Sequence, residues 1–255
     1  MSQSLQTISE IKDSAKGKLN GKYGIAVRAT LVFMMMSYVI AGIASQINDI
    51  IRLIFTNGKN LQAGALIFML IITNVILAIG TVLAGCFSSG IALFYLKIGS
   101  NMMPRVGDLF WGFRDNFKRS FTVALLIEGV GALVSIPGYV IYDMVTTRME
   151  LNALLEAFAF IAGGYIVNVI IGVCFGMVWF VIADFPELTA GAAIKKAWEL
   201  INGNKAKYFG MNLSFIPLIL LCVLTFGIGF LWVYPYMYET EAQFYLELTK
   251  AREEV

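Results

Sequence analysis

Residues 183–207, ADFPELTAGAAIKKAWELINGNKAK, form the one charged, amphipathic segment in the most hydrophobic half of the chain. Asp184 and Glu187 have the spacing of a capping box. Pro186 suits a first helical turn, because its missing N–H needs no partner there. We therefore predict that a helix starts at Asp184 and that Asn202-Gly203 ends it.

This predicted helix has two unlike faces. Lys195, Lys196, Glu199 and Asn202 lie on one face, and apolar residues recur at the helical period on the other. Because two long uncharged runs flank the helix, we expect it to rest in a membrane interface. Its apolar face would turn towards lipid or the helix bundle and its lysines towards water. The apolar positions are Ala190, Ala193, Ile194, Ala197, Trp198 and Ile201.

The composition of the whole chain also indicates a membrane protein. Hydrophobic residues make up 58% and charged residues 14%, and the mean hydropathy is +0.76, outside the soluble globular range. We expect the lipid bilayer as partner and no nucleic acid, because the net charge of +2 is small and the cations are scattered. With no histidine in the chain, His-ligated metals and His general bases are excluded. We expect no cofactor, and Cys86, Cys174 and Cys222 are predicted to be small buried hydrophobes.

The leader of the chain resembles the opening stretch. Ile8, Ile11, Ala15 and Leu19 fall on one helical face, and Asn20-Gly21 predicts the end of this second interfacial helix. Its end aligns with the opening stretch, since Ala-x-x-x-Leu-Asn-Gly here matches Ala-x-x-x-Ile-Asn-Gly there.

A weaker third copy covers Val106 to Lys118, with Leu109, Phe110 and Phe113 on one side. Three such helices, each leading into an apolar run, predict a threefold repeat within one membrane domain. The repeat-like units cover about residues 1–99, 100–184 and 185–255.

The apolar runs predict an all-α, polytopic helix bundle of about six transmembrane helices, since about 20 residues cross the hydrocarbon layer. Pro137-Gly138 predicts a kink or a break in the third span. Met144 to Glu156 is predicted to be an outer connection, and a turn at residues 226–229 separates the last two spans. The spans are predicted at 29–48, 65–96, 120–142, 158–183, from 208 to the turn, and from 230 onward.

Charge predicts the orientation of these spans. Almost all basic residues fall in the leader, in residues 97–119, in the opening stretch and at the C-terminus. The positive-inside rule then places both termini in the cytoplasm. We expect the membrane to be the plasma membrane. With five spans instead of six, Lys250 and Arg252 would lie outside.

Seven short motifs spread along the chain form a recognisable set. They are Asp108-Leu109-Phe110-x-Gly112-Phe113, Ile136-Pro137-Gly138, Ala183-Asp184-x-Pro186-Glu187-Leu188, Gly203-x-Lys205, Leu213-Ser214-Phe215, Gly227-Ile228-Gly229-x-Leu231-Trp232-Val233-x-Pro235-Tyr236 and Phe244-Tyr245-x-Glu247-Leu248. Together these motifs resemble the domain-of-unknown-function family 975. The resemblance implies a bacterial multi-pass integral membrane protein, and it carries no known activity.

Glu128 is the sharpest candidate for chemistry, because it lies eight residues into the third span. An acid at this depth must face the bundle, be protonated or have a partner. Asn74, Asn168 and Asn212 are the polar side chains at comparable depth. The structural interpretation is a neutral Glu128 that joins helices by a hydrogen bond, and the alternative is a proton- or ion-linked role.

The basic residues near the interface suggest a second kind of contact. Lys195, Lys196, Lys205 and Lys207 are candidates to contact anionic lipid headgroups. Three functions remain open: a non-catalytic protein that packs with another membrane protein or with itself, a small-solute or lipid transporter that uses Glu128, and an intramembrane enzyme. We favour the first, because the sequence shows no catalytic constellation and predicts broad interfacial helices. The enzyme is least favoured, because no nucleophile stands beside a recognisable base.

Overall fold

The computed structural model describes residues 6–56, 63–146 and 151–253, and within these ranges it contains helices and connections but no strand. The predicted all-α class is therefore confirmed for the described residues. The helices are α1 (Ile8–Leu19), α2 (Tyr23–Thr56), α3 (Ala63–Gly99), a 3-10 helix (Val106–Phe110), α4 (Trp111–Arg114), α5 (Phe117–Thr146), α6 (Leu151–Phe175), α7 (Val178–Asp184), α8 (Ala190–Ile201), α9 (Lys205–Leu213), α10 (Ile216–Leu224) and α11 (Phe230–Glu253).

Four segments of the described chain are long and apolar enough to cross a membrane. Each overlaps a run in which a span was predicted. The predicted third and sixth spans fall in α5 and α11, which are helical but are not among the four. The four segments are Tyr23–Ile47, Val82–Gly99, Phe158–Asp184 and Lys205–Leu224.

The chain divides into two compact units. The first unit comprises Met1–Met35, Cys86–Ser120 and Val173–Val255. The second comprises Met36–Gly85 and Phe121–Gly172.

Helix α11 is the centre of the first unit. Helix α1 packs on one side of it, and Ile11, Ala15 and Leu19 are almost completely buried there. The predicted apolar stripe of the leader is thus covered by protein. Near the start of α11, the ring of Tyr238 stacks on that of Tyr95 from α3, with 5.5 Å between the centroids.

The end of α3 packs closely against residues 106–114. Gly90 lies against the backbone of Leu109, and Gly112 lies against the carbonyl of Cys86. The third predicted interfacial helix is therefore not one helix but a 3-10 helix followed by the single turn of α4. Two glycines in this stretch lower its helix propensity, and the close contacts with α3 fix the irregular backbone.

In the second unit, α5 and α6 are more regular than the sequence suggested. Helix α5 continues through Pro137-Gly138, so the predicted break is absent from this helix. The predicted outer connection, Met144 to Glu156, was also too long, because α5 extends to Thr146 and α6 begins at Leu151. Polar residues such as Asn152 and Glu156 are compatible with helical backbone, whose hydrogen bonds are satisfied internally.

The predicted start of α8 was wrong. Its N-cap is Thr189, whose hydroxyl accepts a hydrogen bond from the N–H of Ala192 at 3.3 Å. Asp184 instead ends α7 and accepts a hydrogen bond from the Tyr245 hydroxyl at 2.9 Å. Because Asp184 is engaged by α11, it does not cap the following helix.

Helices α1 and α8 have matching ends. Their N-caps, Thr7 and Thr189, are 182 positions apart. Their C-caps, Asn20 and Asn202, are separated by the same distance along the chain. Each C-cap is followed by a glycine in the left-handed region, Gly21 and Gly203, with φ of 73° and 84°. The Asn-Gly stop predicted for both helices is therefore confirmed, and only glycine adopts this backbone without strain.

The cap of α1 provides a simple test of this local structure. Thr7 and Glu10 form a capping box, in which the Thr7 N–H donates to the Glu10 carboxylate at 2.6 Å and the Glu10 N–H donates to the Thr7 hydroxyl at 3.3 Å. We expect Thr7→Ala to cost about 1 kcal/mol of helix stability. Hydrogen exchange of α1 should accelerate in this variant and stay unchanged in Ser9→Ala on the exposed surface. Equal exchange in both variants would contradict the capping assignment.

Candidate functional site

The intramembrane residues predicted from the sequence are only partly visible. The side chains of Glu128 and Asn74 lie outside the described residues. Asn168 donates to the Gly164 carbonyl at 2.9 Å on its own helix and to the Gly131 carbonyl at 3.3 Å on α5. Asn168 thereby joins α5 and α6, as a helix-linking amide does.

Asn212 is in the first unit and has a local role. Its side-chain amide donates to the Tyr208 carbonyl of the preceding turn at 3.1 Å. This bond satisfies the amide within α9.

A cavity of about 480 Å³ in the first unit has a basic and partly apolar lining. We call it the cationic groove. Helix α8 supplies most of one wall, the connection before it supplies a second, and the end of α11 supplies a third. Its lining residues are Phe185, Leu188, Ala192, Lys195, Lys196, Glu199, Leu200, Thr249 and Arg252.

Three cations of the groove are held in different ways. The Lys196 amine lies 3.1 Å from the centroid of the Phe185 ring, and Arg252 donates to the carbonyl of Glu199. Lys195 is held least firmly, because its side chain is 80% exposed and its amine lies 3.9 Å from the Glu199 carboxylate. Against these three positive charges, Glu199 is the one acid in the lining, so the groove favours an anion.

The other two predicted lipid contacts lie outside this lining. The Lys205 amine lies 3.2 Å from the centroid of the Trp198 ring. Lys207 donates to the carbonyl of Gln6. The four lysines grouped by the sequence therefore divide into a pair in the groove and a pair that contacts other parts of the first unit.

Arg119 shapes the groove, although sequence reasoning missed it. From the start of α5, its guanidinium donates to the carbonyls of Phe185 and Leu188, both at 3.0 Å, and to those of Ile182 and Pro186. Burial lowers the pKa of this guanidinium. Arg119 thus adds a donor to the carbonyls of α7 and the following turn, of which that of Phe185 also accepts from the Leu188 N–H at 3.3 Å. An arginine directly before an apolar run was the available signal, but its partners lie more than 60 positions away.

We expect Arg119→Gln to loosen the connection between α7 and α8. Loss of the charged donor leaves several carbonyls unpaired and should cost about 2 kcal/mol of unfolding free energy. Proteolysis between residues 185 and 189 should accelerate. Arg114→Gln is the matched control, because Arg114 is 75% exposed and pairs with its neighbour Asp115, so it should behave as wild type. Equal cleavage in both variants would contradict the role of Arg119.

A second polar region joins α1 to α11. Glu239, Gln243 and Glu247 lie at i, i+4 and i+8 on one face of α11, and α1 covers that face. The Gln243 amide donates to Glu239 at 2.7 Å, and Ser14 donates to Gln243 at 3.0 Å. One carboxylate oxygen of Glu239 and one of Glu247 are buried without a hydrogen-bond partner in the described residues. This arrangement holds two helices in register, as buried polar groups can do.

Comparisons with known proteins identify one family. The model of the family described as "Protein of unknown function (DUF975)" matches residues 1–252. No curated protein matches the chain. No solved structure matches it either. In the described part of the chain, no cluster of three or more cysteine, aspartate or glutamate residues could hold a metal ion.

Proposed function

The chain belongs to the DUF975 family of proteins of unknown function, and from this premise we propose a non-catalytic accessory role in a membrane. In this role the protein packs with another membrane component, either a different protein or a second copy of itself. The bilayer is its solvent, and the chain carries out no bond-breaking chemistry of its own.

The observation that carries this proposal is the large apolar surface of the candidate spans. In Val82–Gly99, 72% of the most apolar 18-residue stretch is buried in the protein. The corresponding share is 18% in Tyr23–Ile47 and 22% in Lys205–Leu224. Exposed surface of this kind is covered by lipid or by helices of a partner.

We further propose six spans with three repeat-like units, both termini in the cytoplasm, and a place in a bacterial plasma membrane. The basic leader, the basic residues of α8 and the basic tail support this orientation by the positive-inside rule. The matching caps of α1 and α8 support a relation between the first and third repeat-like units, residues 1–99 and 185–255.

Native mass spectrometry tests the accessory role. The protein is extracted from its own membrane into nanodiscs, as wild type and as Glu128→Gln. We expect one protein partner, or a second copy, at a fixed stoichiometry in both samples. Monomers without any protein partner in both samples would contradict the accessory role.

Transport is the second candidate function, and one observation favours it. Asn168 donates to the carbonyl of Gly131, which follows Glu128 by three positions on α5. A polar contact at this depth also suits a proton- or ion-linked pathway for a small solute or lipid. Transport predicts that Glu128→Gln abolishes flux in reconstituted vesicles, and unchanged flux would exclude this role for Glu128.

A further inference from the structure

We propose that the cationic groove binds the headgroup of one anionic phospholipid. The inference depends on the proposed membrane location but not on the accessory role. It assigns a ligand class to a particular cavity, whereas lysines near a membrane surface in general attract anionic lipid without selecting a site.

The charges of the groove are arranged for a phosphate. Arg252 and Lys196 are positioned by the Glu199 carbonyl and the Phe185 ring. Their side chains therefore lose little conformational freedom when an anion binds. Lys195 is exposed and only loosely paired, so its amine can turn towards the ligand. A phosphodiester could then be contacted by ammonium groups and by a guanidinium, which suits its oxygens.

The apolar part of the lining indicates a lipid as the source of the phosphate. Phe185, Leu188, Ala192 and Leu200 contribute to the same cavity as the cations. A free inorganic anion gains nothing from apolar walls. A phospholipid brings a glycerol backbone and the first acyl carbons next to its phosphate, and these groups gain from burial.

The position of the groove along the chain supports the same ligand. Phe185 directly follows the candidate span Phe158–Asp184, and α8 ends three residues before the candidate span Lys205–Leu224 begins. A short helix that links the ends of two spans lies at the level of one membrane surface. Headgroups occupy this level, and on the cytoplasmic side many of them are anionic.

The test uses nanodiscs of phosphatidylcholine with phosphatidylglycerol as the minor lipid. Native mass spectrometry counts the phosphatidylglycerol molecules retained by the full chain. We expect one retained molecule in wild type and an affinity about thirtyfold weaker in Lys195→Gln/Lys196→Gln, because two surface charges are removed. Lys16→Gln/Arg114→Gln removes the same charge from exposed sites outside the groove and should retain the lipid.

The single variant Lys195→Gln controls for loss of binding by misfolding, because this exposed side chain can be replaced without disturbing packing. We expect about fivefold weaker retention in this variant. The proposal would be overturned if Lys16→Gln/Arg114→Gln lost as much bound phosphatidylglycerol as Lys195→Gln/Lys196→Gln. It would also be overturned if the wild type showed no preference for phosphatidylglycerol over phosphatidylcholine. Displacement of the lipid by inorganic phosphate would also overturn it and assign the groove to a free anion. If the protein still incorporates into nanodiscs in any of these cases, the result contradicts the lipid site but not the proposed membrane location.

Discussion

Gly90→Ala is expected to prevent stable folding of the first unit. A Cβ atom at this position would lie 2.9 Å from the Cα of Leu109 and closer still to its carbonyl group. The obstacle is backbone, so no side-chain rotation can relieve it. Because overpacking commonly costs 1–3 kcal/mol even where side chains can adjust, we expect a loss of about 3 kcal/mol or more.

Thermal unfolding in detergent, followed by tryptophan fluorescence, measures this effect. Gly17→Ala is the matched control, because a Cβ at Gly17 meets nothing within 4 Å. Glycine inside a helix is unfavourable relative to alanine, so the control should unfold at the wild-type temperature or slightly above it. Wild-type unfolding of Gly90→Ala would show that α3 and the 3-10 helix do not approach as described.

The second large effect is expected from Ala15→Asp in α1. Ala15 is completely buried where α1 packs on α11, and its neighbours on the apolar stripe, Ile11 and Leu19, are buried and uncharged. An uncompensated buried charge costs of order 3–5 kcal/mol. Helix α1 should therefore separate from α11 and uncover the face that contains Glu239 and Gln243.

Hydrogen exchange of α1 and α11 detects this separation. Gly17→Asp introduces the same charge two positions along the same helix, at an exposed site with open space around its Cβ. We expect fast exchange in both helices of Ala15→Asp and wild-type exchange in Gly17→Asp. Protection of α11 in Ala15→Asp would mean that α1 is not needed to cover it.

Local sequence signals located three of the helix boundaries correctly. Asn20-Gly21 and Asn202-Gly203 stop α1 and α8, and the glycines of residues 226–229 separate α10 from α11. These ends depend on the backbone freedom of glycine, which acts within a few residues. The start of α8 was not predictable in this way, because Asp184 bonds to Tyr245, 61 positions away.

The candidate site was also partly predictable, because a local sequence pattern locates residues that share one helix. Helical periodicity placed Lys195 and Lys196 on one face of α8, and both line the groove. The expectation that basic residues near the interface contact lipid headgroups also included Lys205 and Lys207, which have other contacts. Arg252, like the supporting Arg119, comes from a distant part of the chain, and only tertiary packing brings it to α8.

The environment of amphipathic helices was the hardest feature to predict. An apolar stripe on α1 suits lipid as well as protein, since both are apolar solvents for a side chain. The structure buries Leu19 and Ile11 against protein. A polar stripe on α11 suits water in the same way, and the structure covers it with α1.

Cysteine labelling from one side of the membrane tests the multi-pass topology most directly. Single cysteines replace Gly17, Gly191, Phe226 or Lys250 in a chain whose natural cysteines, Cys86, Cys174 and Cys222, are changed to alanine. Intact cells are treated with an impermeant maleimide. With six spans and cytoplasmic termini, only the cysteine at Phe226, which is 98% exposed, should be labelled before permeabilisation. Labelling of the Lys250 position but not of the Gly17 position in intact cells would instead require an odd number of spans, and labelling of the Gly191 position would contradict the placement of α8 on the cytoplasmic side.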